Sequence, residues 1–335
     1  MPIQDMPTQD MQIHNKPNRA SENIKQHFEI VIQSDGVSAL DHLFNYLQQT
    51  FDEKQFSKQQ LKQYGLQGAI WLTGAAKGFK AKTERLRRLK KPLKTGDKLD
   101  FYYNCDLLET PPTAPTLIAD FTSYSVWLKP RGMLSQGSKW GDHTALYRWV
   151  EMNYQPDNQS RQSWIVHRLD RATRGLMLLA HTKKMATKLS QYFEQGGIDK
   201  VYQANVWGDF PSATQNQPQT IDLEIDGKKA ISHVSRLAYY PEQNMSRVAI
   251  HIETGRKHQI RFHLSQTGFP IVGDRLYGSE ALDLQLLEKT NHELLAKRPD
   301  LQLTAFQLSF LCPLTQTKQS YELTESQLDL LSFGL

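Results

Sequence analysis

The chain has 335 residues, of which 39% are hydrophobic and 22% are charged, and its formal net charge at pH 7 is +5. This composition is typical of a globular protein, and the length suits one large domain with a smaller one. No stretch approaches the roughly 18 apolar residues of a membrane-spanning helix, and the polar start has no signal-peptide core. We therefore expect a cytoplasmic protein that does not bind membranes.

Metal ions and other cofactors are not expected. Cys105 and Cys312 are the only cysteines, so neither a disulfide framework nor a four-cysteine zinc site is available. The 11 histidines are scattered, without a His-Glu-x-x-His pair. We also expect a monomer.

The N-terminal third is predicted to contain a tail and a small domain. Residues 1–26 are polar and rich in Gln, Asn, Asp and Pro, so they cannot bury enough apolar surface to offset the entropy of ordering. We predict a disordered tail there. The small domain is predicted to span residues 27–108, with helices at 39–51 and 58–64 and strands at 70–72 and 99–103.

Positive charge is concentrated in this domain, at residues 77–98. The segment holds ten Lys or Arg residues against Glu84 and Asp97, so it carries +8 and the rest of the chain carries −3. Such a concentration is typical of a polyanion-binding surface, because each neutralised phosphate releases condensed counterions. A solvated loop without a partner is the alternative.

A proline-rich run at residues 109–116 is predicted to be a linker, because each proline removes a hydrogen-bond donor and fixes φ. Strand patterns dominate the second domain, 117–335, which predicts a strand-rich α+β fold. Its clearest helix is 182–195, with an apolar face that includes Met185 and Leu189 and a following Gly196 that suits a helix end. Alternating apolar residues at 202–206 and 248–252 predict half-buried strands.

A polar loop containing Asp170 lies between two apolar runs. Loops between rigid strands often carry catalytic groups. Arg168, Arg171 and Arg174 flank the carboxylate, so we expect it to remain charged, since opposite charge favours that form. Asp170 could then act as a nucleophile or an orienting anion, whereas a structural salt bridge to one of these arginines is the alternative.

A second polar block begins at Gly255. Lys257 and Arg261 are four residues apart and are predicted to share one helical face, with Arg256 nearby. A helix that starts after a glycine turn suits an anion, so the block predicts a phosphate or carboxylate site. A third block, 200–208, places Tyr202 on a strand, where most tyrosines are simply core residues.

Together these blocks resemble the RluA-type family of pseudouridine synthases. That family carries, in order, Lys-Pro-x-Gly, His-Arg-Leu-Asp, Lys-x-Tyr-x-Ala, Thr-Gly-Arg-x-His-Gln-Ile-Arg and Gly-x-Pro-Ile-x-Gly-Asp-x-x-Tyr. The same order is found here at 129–132, 167–170, 200–204, 254–261 and 268–277. One such block would be a weak signal, but five in register are very specific.

The resemblance implies an α+β catalytic domain, with a mixed, mainly antiparallel sheet and flanking helices, that isomerises uridine to pseudouridine in structured RNA. Asp170 would attack a flipped-out uridine, Tyr202 would stack on the uracil and Arg261 would pair with the aspartate. Arg168 would help to extrude the base. The candidates for contacts with the RNA backbone are Lys129, Lys200, Arg256 and His258. Ribosomal RNA is favoured over transfer RNA, because an extra basic domain suits a large folded substrate.

The chain departs from the family pattern at two positions. Arg174 stands where the family usually has Ser, and its added charge is expected to affect how the RNA is held; Thr304 stands where a His is common. Residues 27–108 only loosely resemble the family's small alpha-L module, since they carry extra basic sequence between Gly74 and Lys94. They are therefore expected to be a small N-terminal α/β RNA-binding-like domain.

Other functions are less consistent with the sequence. An RNA-binding protein without catalytic activity would not need Asp170, Tyr202 and Arg261 together. A kinase catalytic loop requires an asparagine five residues after its aspartate, where this chain has Gly175. A glycosidase would need a second acid, and none accompanies Asp170 in these blocks.

Overall fold

The computed structural model describes residues 25–50, 56–75, 81–289 and 297–331. Most of the predicted tail lies outside these residues. Its last two residues, Lys25 and Gln26, belong to the first strand, so the structured part begins earlier than predicted. No helix in the described ranges is long and apolar enough to cross a membrane.

The N-terminal domain is a four-stranded antiparallel sheet covered by helices. Leu43 and Leu47, one helical turn apart, pack with Leu61 against Ile70 and Phe101 of the sheet. The elements are β1 (Lys25–Val31), α1 (Ala39–Thr50), α2 (Lys58–Leu66), β2 (Ile70–Thr73), β3 (Thr83–Arg85), β4 (Lys98–Asn104) and α3 (Cys105–Glu109). The strand order is β1-β4-β2-β3.

Both predicted helices and both predicted strands of this domain are found. The sequence did not predict β1, β3 or α3. β1 buries only Phe28, so its alternation is weak, and β3 is three residues long. The predicted linker is irregular between the end of α3 and the start of the next strand at Thr116.

The remaining strands form one mixed sheet of ten. Its elements are β5 (Thr116–Asp120), β6 (Tyr124–Lys129), α4 (Leu146–Asn153), β7 (Trp164–Ile165), β8 (Arg174–Ala180), α5 (Lys183–Glu194), β9 (Ile198–Trp207), β10 (Gln219–Asp222), β11 (Ile231–Tyr240), β12 (Met245–Ile252), α6 (Gln259–Gln266), α7 (Glu280–Lys289), β13 (Leu303–Leu311), β14 (Lys318–Glu322) and α8 (Glu325–Leu328). The order is β10-β11-β12-β9-β13-β8-β6-β5, with β14 beside β13 and β7 beside β8. Among the described strands only β8 and β13 pair in parallel, so the predicted α+β class is confirmed.

The sheet is covered on both faces. In β8, Met177 and Leu179 enter one apolar core, whereas Leu176 and Leu178 enter the other, as the period of a strand requires. The predicted helix at 182–195 is α5, and it covers the second core. The prediction of a half-buried strand at 202–206 is wrong, because every residue from Tyr202 to Trp207 is buried.

The parallel pair β8–β13 depends on a close backbone approach at Gly175. This residue has φ +134°, and a Cβ placed on it would lie 2.5 Å from the Cβ, N and O atoms of Ala305. A side chain at this position would therefore clash with backbone atoms as well as adopt a conformation that is almost restricted to glycine.

We expect Gly175→Ala to lower the free energy of unfolding by roughly 3 kcal/mol, since backbone strain and overpacking add. Urea denaturation of wild type and variant measures this loss. Gly196→Ala is the control, because Gly196 also has a positive φ of +75° but nothing within 4 Å. Equal losses in the two variants would contradict the assignment of a close contact at Gly175.

Candidate active site

A cavity of about 860 Å³ opens beside the predicted catalytic loop. Its walls are the loop between β7 and β8, the end of α5, the start of β9, the end of β12 and the segment that leads into α6. Among the predicted site residues, those that line it are Asp170, Tyr202, Arg261, Arg168, Lys200, Arg256 and His258. Three separate parts of the sequence therefore meet in one cavity, and only Lys129 of the predicted set is absent from its lining.

Asp170 lies on the cavity wall with 20% of its side chain exposed. Arg261 Nη1 lies 3.7 Å and His258 Nε2 lies 3.8 Å from its Oδ2. These distances exceed those of good hydrogen bonds, so the carboxylate is near a cation without being tied to it. A carboxylate in this position can still approach a substrate.

The arginines that flank Asp170 in sequence do not pair with it. Arg171 donates from Nε to Gly132 O at 3.1 Å, and Arg174 donates from Nε to Gln327 O at 2.9 Å. Arg168 is exposed in the cavity. The alternative interpretation of the loop, a structural salt bridge between Asp170 and one of these arginines, is therefore not supported. The expected effect of Arg174 on RNA binding is also unsupported, because this side chain points away from the cavity, toward the C-terminal residues.

Arg261 is fixed by Asp274, a residue for which the sequence alone predicts no role. Its Nε and Nη2 donate to the two carboxylate oxygens at 2.7 and 2.6 Å, and the side chains are 6% and 0% exposed. Burial disfavours both charges, yet their hydrogen bonds raise the pKa of Arg261 and lower that of Asp274. The only sequence feature that could have indicated this ion pair is Asp274 itself, the acidic residue of the motif at 268–277.

His258 stands at the start of α6 in a left-handed conformation, with φ +57°. Its Nδ1 lies 3.2 Å from the hydroxyl of Tyr277. Burial lowers the pKa of His258, so at neutral pH it faces Asp170 mainly as an uncharged imidazole. Because α6 begins at Gln259, Lys257 precedes the helix, and the prediction that it shares a helical face with Arg261 is wrong.

The predicted anion site at this helix start is partly filled by the chain itself. Gln259 Oε1 accepts hydrogen bonds from Thr254 Oγ1 at 2.7 Å and from the amide of Arg256 at 3.1 Å. The Arg256 side chain is exposed and donates to Lys229 O at 3.0 Å. Because the amide of Arg256 is already hydrogen-bonded, an incoming anion would meet the exposed cationic side chains here instead.

Tyr202 and Lys200 lie on β9 at the cavity wall. Tyr202 is 7% exposed, and burial, together with the charge of Asp170, raises its pKa, so the phenol stays protonated at neutral pH. Lys200 Nζ lies 5.3 Å from the centre of the Phe193 ring, and burial lowers its pKa. Phe193 also stacks on His167. This wall therefore offers aromatic surface as well as charge.

Lys129 is not placed as a contact for the RNA backbone. The side chain is 0% exposed, and Nζ donates to Pro130 O at 3.1 Å and Met133 O at 2.9 Å. Burial lowers its pKa to about 7, although the charge of Asp170 opposes the shift. An enclosed ammonium group is unavailable to an RNA phosphate, so its predicted role is corrected to a structural one.

The basic segment 77–98 is divided between surface and interior. Lys77 and Lys80 lie outside the described residues, while Arg88, Lys90 and Lys94 are exposed. Arg85 and Arg87 instead turn inward to the carboxylate of Asp142. Part of the charge that predicted polyanion binding therefore joins the two domains.

Within the described ranges, one cluster has the geometry to hold a metal ion: His27, Glu29 and Asp100. Lys98 Nζ lies 3.0 Å from Glu29 and 3.4 Å from Asp100. Lys98 pairs with both carboxylates, and His27 Nε2 lies 2.8 Å from Asp100 Oδ1, so the cluster forms an ion-pair network at the edge of the N-terminal sheet.

Comparison with known proteins gives one consistent result. Residues 123–266 match the family described as RNA pseudouridylate synthase, a match that includes Asp170, Tyr202 and Arg261. The chain is 35% identical over 179 residues to ribosomal large subunit pseudouridine synthase D of Pseudomonas aeruginosa, covering 50% of this chain and 55% of the relative. It is 32% identical over 184 residues to dual-specificity RNA pseudouridine synthase RluA of Escherichia coli, covering 50% and 80%.

Solved structures agree on the fold. Human RNA pseudouridylate synthase domain containing 1 superposes with a TM-score of 0.50 at 20% identity, over 64% of this chain and 86% of the other. Human RNA pseudouridylate synthase domain containing 4 gives 0.50 at 23% identity, over 62% and 88%. At these identities the likeness concerns the fold alone.

The burial of Lys129 predicts a pH dependence of stability. Its pKa falls from 10.5 to about 7 on folding, so between these values the unfolded chain binds the extra proton. Stability should therefore rise with pH from 7 to 10 by about 1.4 kcal/mol per unit in wild type relative to Lys129→Met. Urea denaturation at several pH values measures both slopes. Parallel slopes would show that Lys129 does not titrate as its burial requires.

Proposed function

Because this chain belongs to the RluA-type family of pseudouridine synthases, we propose that it isomerises a specific uridine to pseudouridine in structured RNA, with Asp170 as the nucleophile. The observation that carries the proposal is the convergence of Asp170, Tyr202 and Arg261 on one cavity from three separate segments. The volume of about 860 Å³ falls within the range of about 300 to 1,000 Å³ that is usual for small-ligand pockets.

The reaction requires the uridine to leave the stack, which costs a few kcal/mol. Arg168 is exposed at the cavity, where it could fill the vacated stack or bind a backbone phosphate. Asp170 then attacks, either at the ribose C1′ or at the uracil ring. The bond from N1 to C1′ breaks, the base turns and C5 bonds to C1′. The bond that Asp170 formed in its attack breaks again and regenerates the carboxylate, the C5 proton leaves and N1 gains a proton. Atoms and electrons balance without an oxidant or reductant.

Neighbouring residues have supporting roles in this proposal. Tyr202 offers a neutral ring on which the uracil stacks. Arg261 holds a positive charge beside Asp170, and Asp274 keeps that guanidinium oriented. The exposed Arg256 and the partly exposed Lys200 line the cavity and would contact the RNA backbone.

Ribosomal RNA is the substrate we favour, with transfer RNA as the alternative. One relative is named as acting on the ribosomal large subunit and the other as dual-specificity. The exposed basic side chains of the N-terminal domain, among them Arg88, Lys90 and Lys94, suit a large folded RNA. The proposal includes action as a monomer in the cytoplasm.

We expect Asp170→Asn to reduce turnover by at least about 1,000-fold, as loss of a nucleophile does. The measurement is tritium release from RNA transcribed with 5-tritiated uridine, because the reaction expels the C5 hydrogen. Asp226→Asn is the matched control, since Asp226 is exposed in a turn outside the cavity. Equal release from wild type and Asp170→Asn would refute the nucleophile assignment.

In cells that lack this protein, at least one pseudouridine in ribosomal RNA should be missing. Carbodiimide-dependent stops of reverse transcription map these positions, and complementation with wild type, but not with Asp170→Asn, should restore the stop. The loss of stops in transfer RNA alone would overturn the choice of ribosomal RNA while leaving the reaction intact.

A further inference from the structure

Residues 132–142 follow β6 and bond to both domains; we call them the connecting segment. One end lies against the loop that carries Asp170. Ser135 Oγ donates to Leu169 O at 2.6 Å and accepts from the Leu169 amide at 2.9 Å. Gly132 N donates to Arg171 O at 2.8 Å. The connecting segment therefore holds the backbone on both sides of Asp170.

The other end binds the N-terminal domain through Asp142, whose side chain is 0% exposed. Arg87 donates from Nη1 and Nη2 at 3.1 and 2.6 Å, Arg85 Nε lies at 3.3 Å and the Tyr147 hydroxyl donates at 2.6 Å. The Asp142 amide also donates to Gln67 O at 2.9 Å. A buried carboxylate with these partners has one well-defined orientation.

Close packing around Asp142 leaves little freedom for the domains to slide. A Cβ at Gly68 would lie 2.4 Å from Asp142 Oδ1, and a Cβ at Gly137 of the connecting segment would lie 3.2 Å from Arg85 Nη2. Trp71 Nε1 adds a hydrogen bond to Lys139 O at 3.0 Å. The two domains are thus fitted together at the connecting segment.

From these contacts we infer that the connecting segment couples the position of Asp170 to the position of the N-terminal domain. Asp142 and Ser135 are its positioning residues. RNA bound to the N-terminal domain would then be held in a fixed relation to the nucleophile. This inference rests on the proposed function for its kinetic consequence, but the mechanical coupling itself is a property of the free protein.

The first test uses the free protein, so it does not depend on activity. Amide hydrogen exchange of the full chain, followed by mass spectrometry, reports on the peptide that covers residues 166–173. We expect about 10-fold faster exchange there in Asp142→Asn and a smaller increase in the milder Tyr147→Phe, as local opening becomes easier. Asp41→Asn, which breaks an exposed ion pair with Lys58, should leave this peptide unchanged.

The second test separates kcat from KM, with tritium release from 5-tritiated ribosomal RNA transcripts. Asp142→Asn and Ser135→Ala should each lower kcat by about 10-fold with little change in KM, since small misplacements of a reacting group are costly. The double variant should lose less than the product of the two single losses. Ser135→Thr, which keeps the hydroxyl, should restore most of kcat.

Two results would overturn the inference. One is unchanged exchange at 166–173 while exchange at the Asp142 contacts increases. This would mean that the N-terminal domain binds the connecting segment without affecting the position of Asp170. The other is a rise in KM with unchanged kcat in Asp142→Asn. This would mean that the N-terminal domain helps to bind the RNA but does not position Asp170. If Asp142→Asn shows the faster exchange but the wild type releases no tritium from either ribosomal or transfer RNA transcripts, the proposed function is refuted and the coupling stands.

Discussion

The buried pair of Arg261 and Asp274 is the interaction on which the arrangement of the cavity depends. An isolated guanidinium inside a protein would be costly, and its partner must meet it with good geometry to offset the loss of water. Asp274 provides this with two short hydrogen bonds, and its Oδ1 also accepts the amides of Leu276 and Tyr277. The pair therefore ties α6 to the following turn and leaves Nη1 free to face Asp170.

The sequence predicted the parts of the fold whose signals are local. The helix α5 is an example: its apolar face and the following Gly196, which is left-handed in the structure, are both readable from neighbouring residues. The strand β1 was not predicted, because one buried side chain does not establish a period. The burial of both faces of β9 was not predicted either, because it depends on α-helices and strands that are remote in sequence.

Charge was harder to interpret than periodicity, because nearness along the chain is a poor guide to pairing in space. The arginines beside Asp170 point elsewhere, and its nearest cation comes from α6, 91 positions away in the numbering. Similarly, Arg85 and Arg87 contributed to a predicted polyanion site but lie against Asp142. Motif resemblance located the cavity residues well, since motifs preserve side chains that meet; it could not separate buried Lys129 from exposed cations.

The two departures from the family pattern are one structural feature. Arg174 and Thr304 are partners in the parallel ladder between β8 and β13. Arg174 Nε donates to Gln327 O and Thr304 Oγ1 donates to Leu328 O, each at 2.9 Å. These carbonyls end α8, where a helix has unpaired acceptors and favours a nearby cation. Both side chains thus hold the C-terminal helix against the parallel pair of strands, and neither of them lines the cavity.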